Sequence, residues 1–368
     1  MKILADANMA GVSQQFAELG EVQLFEGRSL RGAELDGVDV LLVRSVTRVD
    51  ENLLGAHRPR FVGTATSGYD HIDRAALASR GIAFAHAPGS NADSVVDYVL
   101  SVLCQHPGQL DQLLSGAPLG IVGYGHIGRR LQQRMSRLGI TCLAYDPWLD
   151  PQAFHGLSTL EQVLACPVVS LHAALTEEQP WPSRHMLSLD ALQALPERAL
   201  FINAARGELV ATDTLLALSD LRPDIGLVLD CWENEPAIDN ALLRICRFAT
   251  PHIAGYSLDG KFRATRMLYD AACAALELPA RTGGGLPAPL DVEAPAGLEL
   301  EALLPWLVSQ VYDVREDDEA LRRSPLLFDQ LRRDYRPRRE LSALRLQQSA
   351  CLDEAARSIC RALGVQRC

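Results

Sequence analysis

The stretch Gly120-Ile121-Val122-Gly123-Tyr124-Gly125-His126-Ile127-Gly128 constrains this chain more than any other feature. It leaves an apolar strand and enters a helix predicted over residues 127–138. Gly123 permits a tight turn, Gly125 lets backbone approach a ligand, and Gly128 lets the helix pack close on the strand. The helix start, at His126 and Ile127, then offers free N–H groups and a positive dipole end, which suits a pyrophosphate. Many turns carry such glycines, so the order that follows matters. The next strand, 140–145, ends in Asp146, about 20 residues beyond the glycines. Its carboxylate can accept both hydroxyls of an adenosine ribose. It repels a 2′-phosphate, and Pro147-Trp148 offers no cation to hold one. The expected cofactor is NAD rather than NADP.

The strand–helix rhythm runs through most of the chain. Short apolar runs at 2–5, 40–43, 61–65 and 82–85 predict strands of one parallel sheet. Runs at 120–122, 141–145, 167–171, 199–203, 225–229 and 247–249 predict a second sheet, of dinucleotide-binding type. A helix opening at Asn91, with Asp93 in its first turn, suits a crossing between domains. A helix over 259–277 can return the chain to the first domain. Arg281-Thr-Gly-Gly-Gly-Leu-Pro-Ala-Pro289 reads as a linker. Beyond it, helical periodicity at 303–311 and 353–363 and a strand at 343–346 predict a small third unit. About 80 residues is thin for an independent core, so this unit is expected to pack on a partner subunit. The expected fold class is α/β, with two parallel-sheet domains and a small α/β C-terminal domain. The expected division is 1–92 with 256–280, then 93–255, then 281–368.

Composition excludes several functions. Net charge is −11, so the surface as a whole does not attract nucleic acid or anionic membrane. The basic run 331–340 is interleaved with acids and reads as a solvated face or a subunit contact. The nine cysteines form no CxxC pair, which argues against a disulfide framework and against a metal site. No apolar run approaches the ~18 residues of a membrane span, and no signal peptide stands at the start. Cytoplasm is the expected location.

Three polar groups follow successive strands of the second sheet. Asn203-Ala204-Ala205-Arg206-Gly207 places Arg206 past one strand end, and Asp230 and Glu235 lie past the next. Thr250-Pro251-His252 delivers a histidine past the last. Ligands of open α/β sheets bind beyond such ends. Removing hydride from a hydroxyl-bearing carbon also removes the hydroxyl proton, and a histidine suits that transfer. Glu235 can orient and stabilise the imidazolium of His252, and Arg206 can grip a substrate carboxylate with a bidentate fork. The other eight histidines read as structural or surface residues, with His71 the least secure.

These segments, with the glycine loop, resemble the D-2-hydroxyacid dehydrogenase family over roughly residues 1–280. The resemblance implies a flavodoxin-like substrate domain and a Rossmann NAD-binding domain. Further stretches match a branch acting on a small phosphorylated hydroxy acid, with a C-terminal dimerisation domain and hence a homodimer. They are Val43-Arg44-Ser45-Val46-Thr47, Ala65-Thr66-Ser67-Gly68, Ala87-Pro88-Gly89, Gly255-Tyr256-Ser257 and Val311-Tyr312-Asp313-Val314-Arg315. The resemblance implies substrate contacts at Ser45, Thr66 and Tyr256. It implies NAD contacts at Asp146, Asp230, Gly255 and Ala204 to Gly207, and it directs attention to the loop at Ala173. Arg44 and Arg48 can add charge for a phosphate. Two positions depart from the family pattern: Ala173-Ala174 replaces a common Thr-Pro, and Glu208 stands where a small or apolar residue is commoner. Competing expectations are another D-2-hydroxyacid dehydrogenase, of phosphoglycerate or glyoxylate type, and an NAD-sensing corepressor or scaffold on the same fold.

Overall fold

The computed structural model describes residues 1–368 except 151, 153, 155, 281–286, 348–352 and 368. Most of the expected linker, His155, Cys351 and Cys368 therefore lie outside the described residues. The chain forms two compact units, Met1–Asn91 with Ser257–Ala288, and Ala92–Tyr256 with Pro289–Cys368.

The first unit holds five strands: β1 (Lys2–Asp6), β2 (Glu21–Phe25), β3 (Val40–Val43), β4 (Phe61–Thr64) and β5 (Ala83–His86). All pair in parallel in the order β2-β1-β3-β4-β5, the flavodoxin-like order. All four residues of β3 are fully buried, because helices cover both faces of a parallel sheet. On one face Leu268, Tyr269 and Ala272 of the helix Leu258–Ala275 pack on Ile3, Val40 and Phe61. On the other, Leu35, Leu54 and Leu77 pack on Leu41 and Val62. Sequence reading passed over β2. It is an edge strand with Glu21, Gln23 and Leu24 exposed, so it carries no apolar run.

The second unit contains β6 (Leu119–Val122), β7 (Cys142–Tyr145), β8 (Val168–Leu171), β9 (Leu200–Asn203), β10 (Gly226–Leu229) and β11 (Phe248–Ala249). Their order is β11-β10-β9-β8-β6-β7, again with parallel pairing. Leu157 adds one parallel bridge to Ala144 of β7. With that vestigial strand the order reads as a Rossmann sheet, and its direction reverses between β6 and β8. A dinucleotide binds outside the carboxyl ends at that reversal.

The C-terminal segment forms a small parallel sheet, β12 (Leu290–Val292), β13 (Leu344–Leu346) and β14 (Gln366–Arg367). Its helix Leu300–Ser309 turns Leu303, Leu304 and Leu307 inward at helical spacing. They join Val95, Val99 and Leu103 of the helix Ala92–Cys104 in one core cluster. A segment too small for its own core thus buries its apolar face within the chain. The basic run also departs from a solvated face: Arg338 is 2% exposed and Glu340 fully buried. The Arg338 guanidinium lies 3.7 Å above the Tyr312 ring and donates to the Ser94 carbonyl at 2.6 Å.

Candidate active site

The loop after β6 is shaped by close backbone approach. Gly123 has φ +95°, and a Cβ there would lie 2.3 Å from the Ala173 nitrogen in the loop after β8. A Cβ on Gly128 would lie 2.1 Å from the Gly123 carbonyl oxygen. Gly125 differs, since a Cβ would meet nothing within 4 Å. Gly125 caps the helix His126–Arg137 with no side-chain hydrogen bond, leaving first-turn amides near His126 and Ile127 for a ligand. Asp146 follows β7, and its carboxylate accepts from the Tyr124 and Trp148 amides at 2.9 and 3.0 Å. The acid is thereby fixed beside the glycine loop. This cradle fits a dinucleotide.

Three neighbouring loops carry the polar set. After β9, the Asn203 side chain donates to the Arg206 carbonyl at 2.9 Å and accepts from the Ala205 amide at 3.1 Å. That clamp shapes the turn of Ala204, Ala205 and Arg206. A Cβ on Gly207 would sit 1.9 Å from the Trp232 carbonyl carbon, so only glycine lets the loops after β9 and β10 touch. Glu235 folds back to accept from the Trp232 amide at 2.7 Å. Its other oxygen meets His252 Nδ1 at 2.8 Å. The two side chains are 19% and 27% exposed, so the pair is sheltered yet reachable.

Asp230 holds the His252 loop in place. One carboxylate oxygen accepts from Thr250 Oγ1 at 2.7 Å and the Ile253 amide at 2.8 Å. The other accepts from the Ala254 amide at 2.9 Å, beside Gly255. Tyr98 reaches the Thr250 hydroxyl from the helix Ala92–Cys104 at 2.9 Å. Trp232 Nε1 donates to the Thr250 carbonyl at 2.9 Å. These bonds hold His252 at φ +54°, an unusual backbone for a non-glycine residue. Asn203, Thr250 and Tyr98 escaped the sequence reading as positioning groups, because hydroxyl and amide side chains near strand ends carry no distinctive spacing.

Electrostatics matches the geometry. Burial pushes the Glu235 carboxyl up, but the His252 hydrogen bond and charge, the Trp232 amide and Arg332 outweigh it and leave it below its ordinary value. Glu235 therefore stays ionised beside the imidazole. Burial raises the Asp230 carboxyl against its hydrogen bonds. Among the described residues, Cys231, Glu235 and His252 have ligand atoms within 4.8 Å of one another, the spacing of a metal group. Burial holds the Cys231 thiol well above its ordinary value, and its sulfur donates to the Ala205 carbonyl at 3.3 Å. The set is thus a histidine–carboxylate pair beside a protonated thiol.

In the first unit, Ser45 stands exposed just past β3. Thr66, past β4, donates to the Gly68 carbonyl at 2.7 Å and meets Thr64 Oγ1 at 2.8 Å. His71 Nε2 reaches the same Thr64 hydroxyl at 2.8 Å, and burial lowers its pKa. Arg44 donates to buried Asp6 at 3.1 Å. Arg48 pairs with Asp50 on the surface, its side chain 75% exposed. Tyr256 belongs to the second unit, with its ring 5.8 Å from that of Tyr335.

Residues 101–254 match the model of the D-isomer specific 2-hydroxyacid dehydrogenase, NAD binding domain. Residues 290–364 match a domain of unknown function, DUF3410. The chain is 43% identical over 357 residues to erythronate-4-phosphate dehydrogenase of Stutzerimonas stutzeri, covering 94% of each. It is 41% identical over 376 residues to that of Edwardsiella ictaluri, covering 99% of this chain and 98% of the other. Among solved structures, NAD⁺-bound 3-phosphoglycerate dehydrogenase of Entamoeba histolytica matches with a TM-score of 0.61 at 22% identity. That match covers 78% of this chain and 99% of the other, and it bears on fold.

Proposed function

The chain belongs to the D-2-hydroxyacid dehydrogenase family, in its erythronate-4-phosphate dehydrogenase branch, and is an NAD-dependent enzyme; on that premise we propose that it oxidises 4-phospho-D-erythronate to 3-hydroxy-2-oxo-4-phosphooxybutanoate, in vitamin B6 biosynthesis. The observation that carries the chemistry is the 2.8 Å contact between His252 Nδ1 and Glu235. It commits Nδ1 to the carboxylate and leaves Nε2 to face substrate. In oxidation, His252 Nε2 takes the proton of the C2 hydroxyl as the C2 hydride departs. Glu235 stabilises the imidazolium that forms. Arg206 binds the substrate carboxylate and polarises the oxygen at C2.

When bound, NAD would supply the hydride acceptor. The glycine loop, with Gly123, Gly125, His126, Ile127 and Gly128, would hold its pyrophosphate, and Asp146 its ribose. Ala173, Ala204, Ala205, Gly207, Asp230 and Gly255 complete the cofactor contacts in this reading. Ser45, Thr66, Arg44 and Tyr256 are assigned to substrate. The branch resemblance supports these roles, as does their position past strand ends.

We further infer a homodimer in the cytoplasm, with residues 281–368 as its dimerisation domain. Leu326, 95% exposed, and Leu327, 46% exposed, offer apolar surface on that segment. Among the described residues no helix is long and apolar enough to cross a membrane. Leu326→Asp should halve the mass seen by light scattering, and an intact dimer would place the interface elsewhere.

The deciding assay is NADH formation with 4-phosphoerythronate, beside 3-phosphoglycerate and unphosphorylated D-2-hydroxy acids. Preference for 4-phosphoerythronate supports the reading. Preference for another acid keeps the family and rejects the substrate. NAD binding without turnover on any acid favours a sensor.

A further inference from the structure

Arg332 lies in the field of Glu235 and comes from the segment that matches the model of a domain of unknown function. The short helix Phe328–Arg333 is pinned by Phe328, which is 1% exposed in the core that also holds Trp232. Residues four apart share a helix face, so Arg332 follows Phe328 inward. Its side chain is 25% exposed. The guanidinium carbon lies 5.7 Å from the Tyr256 ring centre and 5.9 Å from that of Phe328. It lies in hydrogen-bonding reach of the Tyr256 side chain and in the field of Glu235 and Asp230, which together keep it charged against burial. Cys231 feels the charge of both Arg206 and Arg332.

Arg332 differs from its neighbours in how its donors are used. Arg322 grips Asp318 with Nε and gives its other nitrogens to the Leu243 and Cys246 carbonyls. Arg338 has a buried Nε without a partner too, but it spends its terminal nitrogens on the Ser94 and Ala254 carbonyls. Arg332 has a buried Nε with no hydrogen-bond partner, and among the described residues its one ion pair is a loose 4.0 Å contact to Asp329. An unmatched donor on a buried cation is costly unless a ligand completes it. In the first unit, by contrast, Arg44 is paired with Asp6 and Arg48 with Asp50.

We propose that Arg332 is a specificity-determining residue: beside Tyr256 and the His252–Glu235 pair, its guanidinium binds the terminal phosphate of the substrate, which makes the C-terminal segment part of the active site. This rests on the phosphorylated-acid reading above. Arg206 and His252 suffice for the carboxylate and C2 hydroxyl common to all 2-hydroxy acids. A further anionic group calls for a further cation, and a planar fork suits phosphate oxygens.

The test compares wild type, Arg332→Gln and Arg332→Lys as full-length enzyme, with 4-phosphoerythronate and with erythronate, at saturating NAD. Arg332→Gln should raise KM for 4-phosphoerythronate by about 10- to 100-fold, the range for loss of a charge-assisted contact. Its KM for erythronate should stay within about 2-fold, a difference smaller than such a contact produces. Inhibition by orthophosphate should weaken in parallel. Arg332→Lys keeps the charge without the fork and should fall between; it also serves if the glutamine variant misfolds. Equal losses on both substrates, or unchanged KM and phosphate inhibition in folded variants, would overturn the proposal and leave the reaction standing. A wild type that oxidises only unphosphorylated acids would instead overturn the substrate reading, and Arg332 would lose its phosphate role with it.

Discussion

The NAD-binding sheet carries one histidine past β8 and another past β11, and the two are held in opposite ways. His172 is buried, with Nε2 2.9 Å from the Ser170 hydroxyl and Nδ1 lacking a partner. Burial pushes its pKa down to about 3, so it is a neutral packing group. His252 keeps 27% of its side chain exposed and faces a carboxylate at 2.8 Å. Both satisfy the rule that function sits past strand ends. What separates them is a charged partner and a path to solvent. Position along the sheet makes a histidine eligible, and the partner decides what it can do.

The largest expected effect tests the eligible histidine directly. His252→Gln should lower turnover about 10²- to 10⁴-fold, the usual worth of a positioned acid–base group. NAD affinity, read by fluorescence titration, should be retained. A folded variant with unchanged turnover would make the two histidines equivalent and move proton transfer elsewhere.

Removing the partner should make His252 more like His172. Glu235 is held ionised below its ordinary pKa, so it stabilises the imidazolium throughout the working range. Oxidation needs the neutral imidazole. Glu235→Gln takes the charged partner from the imidazolium, so the activity-versus-pH profile should shift. Maximal turnover should also fall, because the imidazole loses its fixed orientation. A profile that does not move would leave Glu235 as a packing residue. Further back, Thr250→Val removes the hydroxyl that joins Tyr98 to Asp230. It should cost about 1–3 kcal/mol in urea denaturation, since buried Asp230 loses a donor. Unchanged stability would mean that the remaining amides suffice to hold the loop.

The sequence and the structure agree best where one physical signal dominates. Both parallel sheets were legible because buried strands such as β3 and β9 are unbroken apolar runs between turn residues. The placement of Arg206, Glu235 and His252 was legible because each follows such a run. The contact between Nδ1 of His252 and Glu235 was an expectation of chemistry, and it required the fold-back that Trp232 enforces through its amide. What stayed hidden depends on contacts between distant segments. Arg332 lies 80 residues beyond His252 in a run whose charges look solvated. Its inward aim comes from Phe328, whose anchoring leaves no mark of period or composition. The burial of Arg338 against Tyr312 is hidden for the same reason.

The smallest expected effect concerns His172 and sharpens the comparison from its inert side. His172→Asn should leave turnover at pH 8 within about 3-fold, far less than the loss of an acid–base group. Its trace lies in stability. The folded pKa of about 3 is below the ordinary 6.5, so the unfolded chain binds the proton first as pH falls. The neutral histidine's contribution is present in full above pH 6.5 and is lost progressively toward pH 3. Between pH 7 and pH 5 this group alone should remove about 2 kcal/mol from wild-type stability. Asparagine does not titrate there, so the variant's stability should fall by about that much less over the same interval. Denaturant midpoints at the two pH values measure the difference. Parallel pH dependence in both proteins would mean that His172 takes up its proton inside the fold. The contrast with His252 would then have to rest on the carboxylate partner alone, without help from burial.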